Sequence, residues 1–202
     1  RAFPHETKSI WNKLNQCSGF PDPYLDGTGE FYRIWSNTYR KQLLREDIRD
    51  LASLRSIEDV EILFSLLPSK IGSPLSMAGL ARDIHVSFDS VKNWIEIFEN
   101  FFMVFRIAPW TRKISRAITK EKKLYLFDYA GLDSPAAKFE NMVALELFRA
   151  VSNWNDLGRG NFSLHYLRNR DRQEVDFLIS NNHDPFLLIE TKLADDYASK
   201  SL

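Results

Sequence analysis

The chain has 202 residues, 44% of them hydrophobic and 27% charged, which excludes a disordered or fibrous polypeptide and allows one large or two small cores. Basic and acidic side chains number 27 each and cancel, so any contact with nucleic acid has to come from a local patch rather than from an overall positive field. Apolar stretches such as Phe101 to Phe105 and Leu124 to Phe127 fall far short of the roughly 20 residues that a bilayer span requires. The single cysteine, Cys17, excludes an intramolecular disulfide framework and suits a reducing, cytoplasmic setting.

The opening, Arg1-Ala2-Phe3-Pro4, lacks both an initiator methionine and a signal-peptide core and reads as an internal start. The first of three segments, residues 1–71, is helical. Gly19 to Gly29 is dense enough in Pro and Gly to predict a loop. After it, Phe31, Ile34, Trp35, Tyr39, Leu43, Leu44, Ile48 and Leu51 recur at three- and four-residue steps and predict a long helix with one apolar stripe. Ser56 then caps a shorter helix carrying Val60, Leu63, Phe64 and Leu67, stopped by Pro68.

In the second segment, 72–130, Ser76 opens a short helix from Met77 to Ile84, and Ser87 caps another from Phe88 to Glu99 with Val91, Ile95 and Phe98 inward. Two helices joined by about three residues predict a helix-turn-helix. Phe101 to Ile107 and Leu124 to Phe127 are aromatic and branched enough for two strands, which together would form its wing. Between them lies a basic run whose Arg112, Lys113, Arg116, Lys120, Lys122 and Lys123 are the candidate contacts to a DNA backbone, with Trp110 placed to stack or wedge. The second helix is a poorer DNA reader, since Asp89, Glu96 and Glu99 stand against one Lys92. A rigid spacer or a protein-docking module is the competing reading.

The third segment, 131–202, starts with Ser134-Pro135, a cap and a proline suited to the first helical position. The helix it opens runs through Phe139, Glu140, Val143, Leu147 and Val151. Phe162 to Arg168, Glu174 to Ser180 and Phe186 to Lys192 follow as strands with short polar connections, which predicts an antiparallel meander. The overall expectation is an α+β chain. Alternation sets Glu174, Asp176 and Leu178 on one side of the second strand, and Glu190 and Lys192 on one face of the third. Asp176 and Glu190 can then meet. Two neighbouring carboxylates repel unless a divalent cation or a shared proton neutralises them, and hard oxygen ligands suit Mg²⁺ or Mn²⁺. Lys192 would point towards a metal-bound water and a phosphate oxygen. The plainer alternative is an edge-strand ion pair between Glu190 and Lys192, with Asp176 solvated.

The helix with Glu140, then Glu174-Val175-Asp176-Phe177, then Ile189-Glu190-Thr191-Lys192 resembles the αβββ opening of the PD-(D/E)xK nuclease superfamily. The resemblance implies Asp176, Glu190 and Glu140 as metal ligands, with Lys192, Glu190 and Asp176 as the catalytic set for phosphodiester hydrolysis. Arg168, Arg170 and Arg172 would flank that site. The superfamily's core continues with a helix and a strand, whereas only Leu193 to Leu202 remain here, so an incomplete core is expected. Across most of the chain, Gly19-Phe20-Pro21-Asp22-Pro23-Tyr24, Leu44 to Leu51, Leu80 to Ser87, Leu124 to Asp128 and Phe139-Glu140-Asn141 are similar to the C-terminal region of bacterial and archaeal AAA+ ATPases. That similarity implies an ATP-binding core upstream of Arg1, followed by a winged helix and a nuclease-like domain; DNA is the partner expected from the basic run, and no membrane contact is expected from apolar stretches this short. No Gly-x-x-x-x-Gly-Lys-Ser/Thr loop occurs in the sequence, so this stretch has no ATP site of that type. A non-catalytic DNA- or protein-binding module with a vestigial nuclease fold is the alternative.

Overall fold

The structure, a computed structural model, describes residues 5–48, 57–112, 120–168 and 173–193. Leu51, Ser56, Lys113, Arg116, Arg170, Arg172 and the stretch after Leu193 lie outside the described residues. Among the described residues the chain is of the α+β class, with seven α-helices and a five-stranded mixed sheet. None of these helices is long and apolar enough to cross a membrane. The chain divides into two compact units.

The first unit comprises residues 1–69, 77–104 and 127–133, and its described residues are mainly helical. It contains α1 (His5–Cys17), α2 (Pro21–Asp26), α3 (Gly29–Gln42), a π-helical turn (Leu43–Ile48), α4 (Ile57–Leu66), α5 (Met77–Asp83) and α6 (Phe88–Asn100). The predicted loop around Pro21 is overturned, because α2 occupies it. Pro21 has its φ preset for a first helical turn and Asp22 complements the helix N-terminus. Gly27 then stops the helix at φ +76°, donating its N–H to the Pro23 carbonyl.

The predicted stripe holds at Leu44 and Ile48, which are buried, and at Trp35, which packs on the core, but not at its start. Phe31 and Ile34 are exposed, while Tyr32 and Ser36 are buried. The Tyr32 hydroxyl donates to Asp128 Oδ1 at 2.8 Å and the Ser36 hydroxyl to Oδ2 at 2.6 Å. This face is chosen by hydrogen bonding to a distant carboxylate, which apolar periodicity does not register. The predicted helix pair is present. Ser87 accepts from Ser90 N at 3.0 Å, α5 and α6 pack on one another, and Val91, Trp94, Ile95 and Phe98 of α6 are buried.

The second unit comprises residues 70–76, 105–126 and 134–202. Its sheet is built from β1 (Val104–Pro109), β2 (Lys123–Leu126), β3 (Phe162–Arg168), β4 (Glu174–Asn181) and β5 (Asp184–Ile189), in the order β2-β1-β3-β4-β5. Antiparallel pairing joins β3 to β4 and β4 to β5, as the meander predicts. The two strands expected to form a wing lie side by side, and they also extend this same sheet through a parallel pairing of β1 with β3. A parallel partner more than fifty residues away leaves no local signal in the sequence.

Helix α7 (Pro135–Asp156) begins at the Ser134 cap and packs on β2, β3 and β4. Phe105, Tyr125, Phe148 and Phe177 form a chain of ring contacts in the core of this unit. At the other end of β4, Asn182 and His183 make the turn into β5, both at positive φ (+50° and +73°), as two-residue hairpin turns demand.

Candidate functional site

β4 and β5 pair Phe177 with Ile189, so one further step would oppose Asp176 and Glu190. The strand ends before that step. The predicted strand through Lys192 is shortened to Ile189, and Asp176 Oδ2 accepts both the backbone N–H and the hydroxyl of Thr191, each at 2.7 Å. A carboxylate thus replaces the ladder at the point where β5 leaves the sheet. Glu190 and Lys192 lie past the strand end, with Lys192 Nζ 3.5 Å from Glu190 Oε1.

Glu140 on α7 faces different company. Its Oε1 accepts the Tyr125 hydroxyl at 2.8 Å and lies 3.4 Å from Lys123 Nζ, which in turn lies 2.5 Å from Glu174 Oε1. Arg168 Nε is 3.8 Å from the other Glu174 oxygen. Lys123 is only 1% exposed and its ammonium stands 5.5 Å from the centre of the Tyr166 ring. The backbone closes on this cluster from one side: Gly72, at φ +75°, leaves no room for a side chain, since an added Cβ would fall 2.7 Å from Glu140 Oε2.

These contacts redistribute the predicted site residues. Asp176 is brought to the Glu190-Thr191-Lys192 segment. Glu140 is held by Tyr125 and Lys123, and among the described residues no group of three or more His, Cys, Asp or Glu side chains could hold a metal ion. Lys123 leaves the basic run altogether, because its alternation with Tyr125 along β2 carries it inward to two carboxylates. Arg112 and Lys120 are exposed and Lys122 is partly so. Trp110 is engaged, donating Nε1–H to the His183 carbonyl at 3.0 Å and stacking on its ring. On α6, Asp89, Lys92 and Glu96 are exposed and Glu99 is partly so, the acidic face predicted for a poor reader of phosphates.

Lys123, Tyr125 and Glu174 escaped the sequence reading as a group. The available signal was a lysine immediately before the apolar run Leu124-Tyr125-Leu126 and two residues from Tyr125, on whose side of a strand it needs an internal partner. Burial raises the Tyr125 phenol far above its usual value, and the charges of Glu140, Asp176 and Glu174 add to the effect. Tyr166 is raised as well, again chiefly by burial. A raised folded-state value favours the neutral phenol on folding. The resulting stability is fully present below about pH 10, the unfolded tyrosine value, and is lost as pH rises from there towards the folded values. Urea midpoints should therefore fall above pH 10, and the fall should be shallower in Tyr125→Phe; an equal slope in the variant would refute the assignment.

An α+β chain with a helical unit and a helix-backed mixed sheet is thereby defined, with Lys123, Glu140, Arg168, Glu174 and Asp176 gathered around the start of β4. The model of a domain of unknown function, DUF8612, matches residues 11–135, more than half of the sequence, and the chain belongs to that family. A second model, the domain of unknown function DUF4143, matches residues 136–202; domains of that type are typically found at the C-termini of AAA-type ATPase proteins. The border between the two matches falls at the start of α7, so β1 and β2 come from one matched region and β3, β4 and β5 from the other, within one sheet. No curated protein and no solved structure matches the chain.

Proposed function

We propose that this chain is the C-terminal region of an AAA-type ATPase protein and that its sheet unit is a nuclease-like domain acting on or near DNA. The observation that carries the reading is the approach of Asp176 to the Glu190-Thr191-Lys192 segment, in a unit whose α7, β3, β4 and β5 follow the helix-strand-strand-strand order of PD-(D/E)xK cores. Asp176 and Glu190 are the hard oxygen donors that would hold Mg²⁺ or Mn²⁺. Such an ion, when bound, makes water more acidic and offsets charge gathering on a phosphoryl group. Lys192 would contribute a positive charge to a phosphate oxygen beside it. Glu140, predicted as a third ligand, is assigned instead to the Lys123 cluster. Arg112 and Lys120 supply exposed charge for a DNA backbone.

A second reading has its own observation. Lys123 already neutralises Glu140 and Glu174 from inside the chain, which favours a non-catalytic DNA- or protein-binding module built on a vestigial nuclease fold. One experiment separates the two. With Mn²⁺ or Mg²⁺, the purified protein is expected to nick supercoiled DNA, and Asp176→Ala or Lys192→Ala to abolish nicking. Unchanged nicking in both variants would expose a contaminant. Salt-sensitive DNA binding without nicking, weakened by Arg112→Glu, would support the second reading.

A further inference from the structure

Where β1 and β3 end side by side there is a cleft of about 220 Å³, lined by Pro74, Pro109, Lys120, Glu121, Tyr166 and Arg168, all within the second unit. Ordinary small-molecule sites take about 300–1,000 Å³, so this cleft suits a single small group of a larger partner. The sheet explains the gathering. Pro109 pairs with Tyr166 in the parallel register of β1 and β3, and Arg168 follows two residues further along β3. Pro74 bridges to Lys123 at the start of β2, and the Tyr166 hydroxyl, donating to the Glu121 carbonyl at 2.8 Å, ties the segment before β2 to β3.

The chemistry of this lining lies in its charges, because the prolines carry no polar side-chain atom and the Tyr166 hydroxyl is already engaged. Lys120 and Glu121 are exposed, and the Arg168 side chain keeps 37% of its surface open. Arg168 Nε lies 3.8 Å from Glu174 Oε2, beyond hydrogen-bond length, while Lys123 holds the other oxygen of that carboxylate at 2.5 Å. The contact involves Nε alone, so the terminal nitrogens of the guanidinium fork are left for an oxygen acceptor in the cleft. Two cations against one carboxylate favour an anionic group. An arginine fork beside a lysine point charge is the pairing that suits phosphate oxygens.

Arg168 pairs with Glu174 across β3 and β4, and Asp176 lies two residues further along β4, about 7 Å at the ordinary rise of a strand. The cleft therefore borders the Asp176 end of the sheet, yet Asp176, Glu190 and Lys192 are not among its lining residues. We propose that it seats one backbone phosphate of a DNA strand passing the Asp176 end, held between Arg168 and Lys120, with Glu121 opposing. The proposal rests on the reading of the chain as DNA-associated, and it requires neither a metal ion nor cleavage.

The test is fluorescence anisotropy of short labelled DNA duplexes of two unrelated base sequences, titrated with the whole chain in EDTA over a series of salt concentrations. Arg168→Gln is expected to weaken binding about tenfold on both sequences, the loss of a charge-assisted hydrogen bond to a phosphate. Combined with Lys120→Gln, it should lower the slope of log affinity against log salt by about 0.9, the share of one phosphate. Glu121→Gln should tighten binding, since it removes the one carboxylate of the lining. Lys120→Gln alone, at an exposed position, serves if Arg168→Gln does not fold. A parent chain that binds neither duplex would overturn this proposal together with the reading it rests on. Binding by the parent that is unchanged in folded Arg168→Gln and Lys120→Gln, or a loss confined to one base sequence, would overturn the phosphate seat alone.

Discussion

Lys123→Met should lower the stability of the sheet unit by about 3 kcal/mol, read as a drop in the urea midpoint of the transition reported by the sheet. Removing one partner of a buried ion pair typically costs about 3–5 kcal/mol, because the remaining charge keeps its desolvation penalty and loses its compensation. Here two carboxylates are stranded together. The Glu140 and Glu174 side chains retain 20% and 26% exposure, and Arg168 stands 3.8 Å from Glu174, so the lower end of that range applies. Methionine keeps the length of the stem, which separates loss of charge from loss of packing. Adding Glu140→Gln and Glu174→Gln to Lys123→Met should recover much of the loss, since neutral amides no longer require a cation. If Lys123→Met alone stays within about 0.5 kcal/mol of the parent, the range of an ordinary surface change, the cluster does not stabilise the fold.

The same residue shows what the sequence disclosed and what it hid. Lys123 closes a run of basic residues, and charge runs read as solvated faces. Its true setting depends on which way β2 faces, and that follows from β2 lying beside β1 in a sheet completed far along the chain. Elements whose signals are local were legible. The Ser87 and Ser134 caps, the proline at the start of α7 and the β3-β4-β5 meander all appear where cap chemistry and alternation put them. Readings that required a distant partner failed in characteristic ways. The start of the stripe along α3 turned towards Asp128, and β1, beside β2 as expected, also pairs with β3. The Pro-rich stretch at Pro21 failed for another reason: a proline was weighed as a helix breaker where its position made it a helix starter.

The candidate site was legible in part for the same cause. Alternation along β4 put Asp176 opposite the acid-x-lysine segment, and Asp176 does reach that segment. It contacts Thr191, however, because β5 ends at Ile189, and strand ends carry little signal of their own. Glu140 was legible as an acid on α7, but its partners sit on β2.

Asn141→Leu tests the junction that seats α7 on this sheet, and its expected cost is again about 3 kcal/mol. Asn141 has no exposed surface, its Oδ1 accepts the Leu126 N–H at 2.8 Å and its Nδ2 donates to the Leu126 carbonyl at 2.7 Å. β2 is an edge strand in the sheet order, and here a side-chain amide from α7 supplies the donor and acceptor that a further strand would have supplied. Leucine is the better helix former by a few tenths of a kcal/mol, so intrinsic propensity favours the variant. Against that, both backbone groups of Leu126 lose their partner in the interior, at about 1–3 kcal/mol each, and the second effect dominates. Asn141→Asp should fare no better, since it keeps the acceptor for the Leu126 N–H but sets a carboxylate against the Leu126 carbonyl. Hydrogen exchange gives the local readout: the Leu126 amide should lose protection in Asn141→Leu while amides in the centre of β4 follow only the global change. Retained protection at Leu126 would mean that another group satisfies it and that Asn141 is not the clamp between α7 and β2.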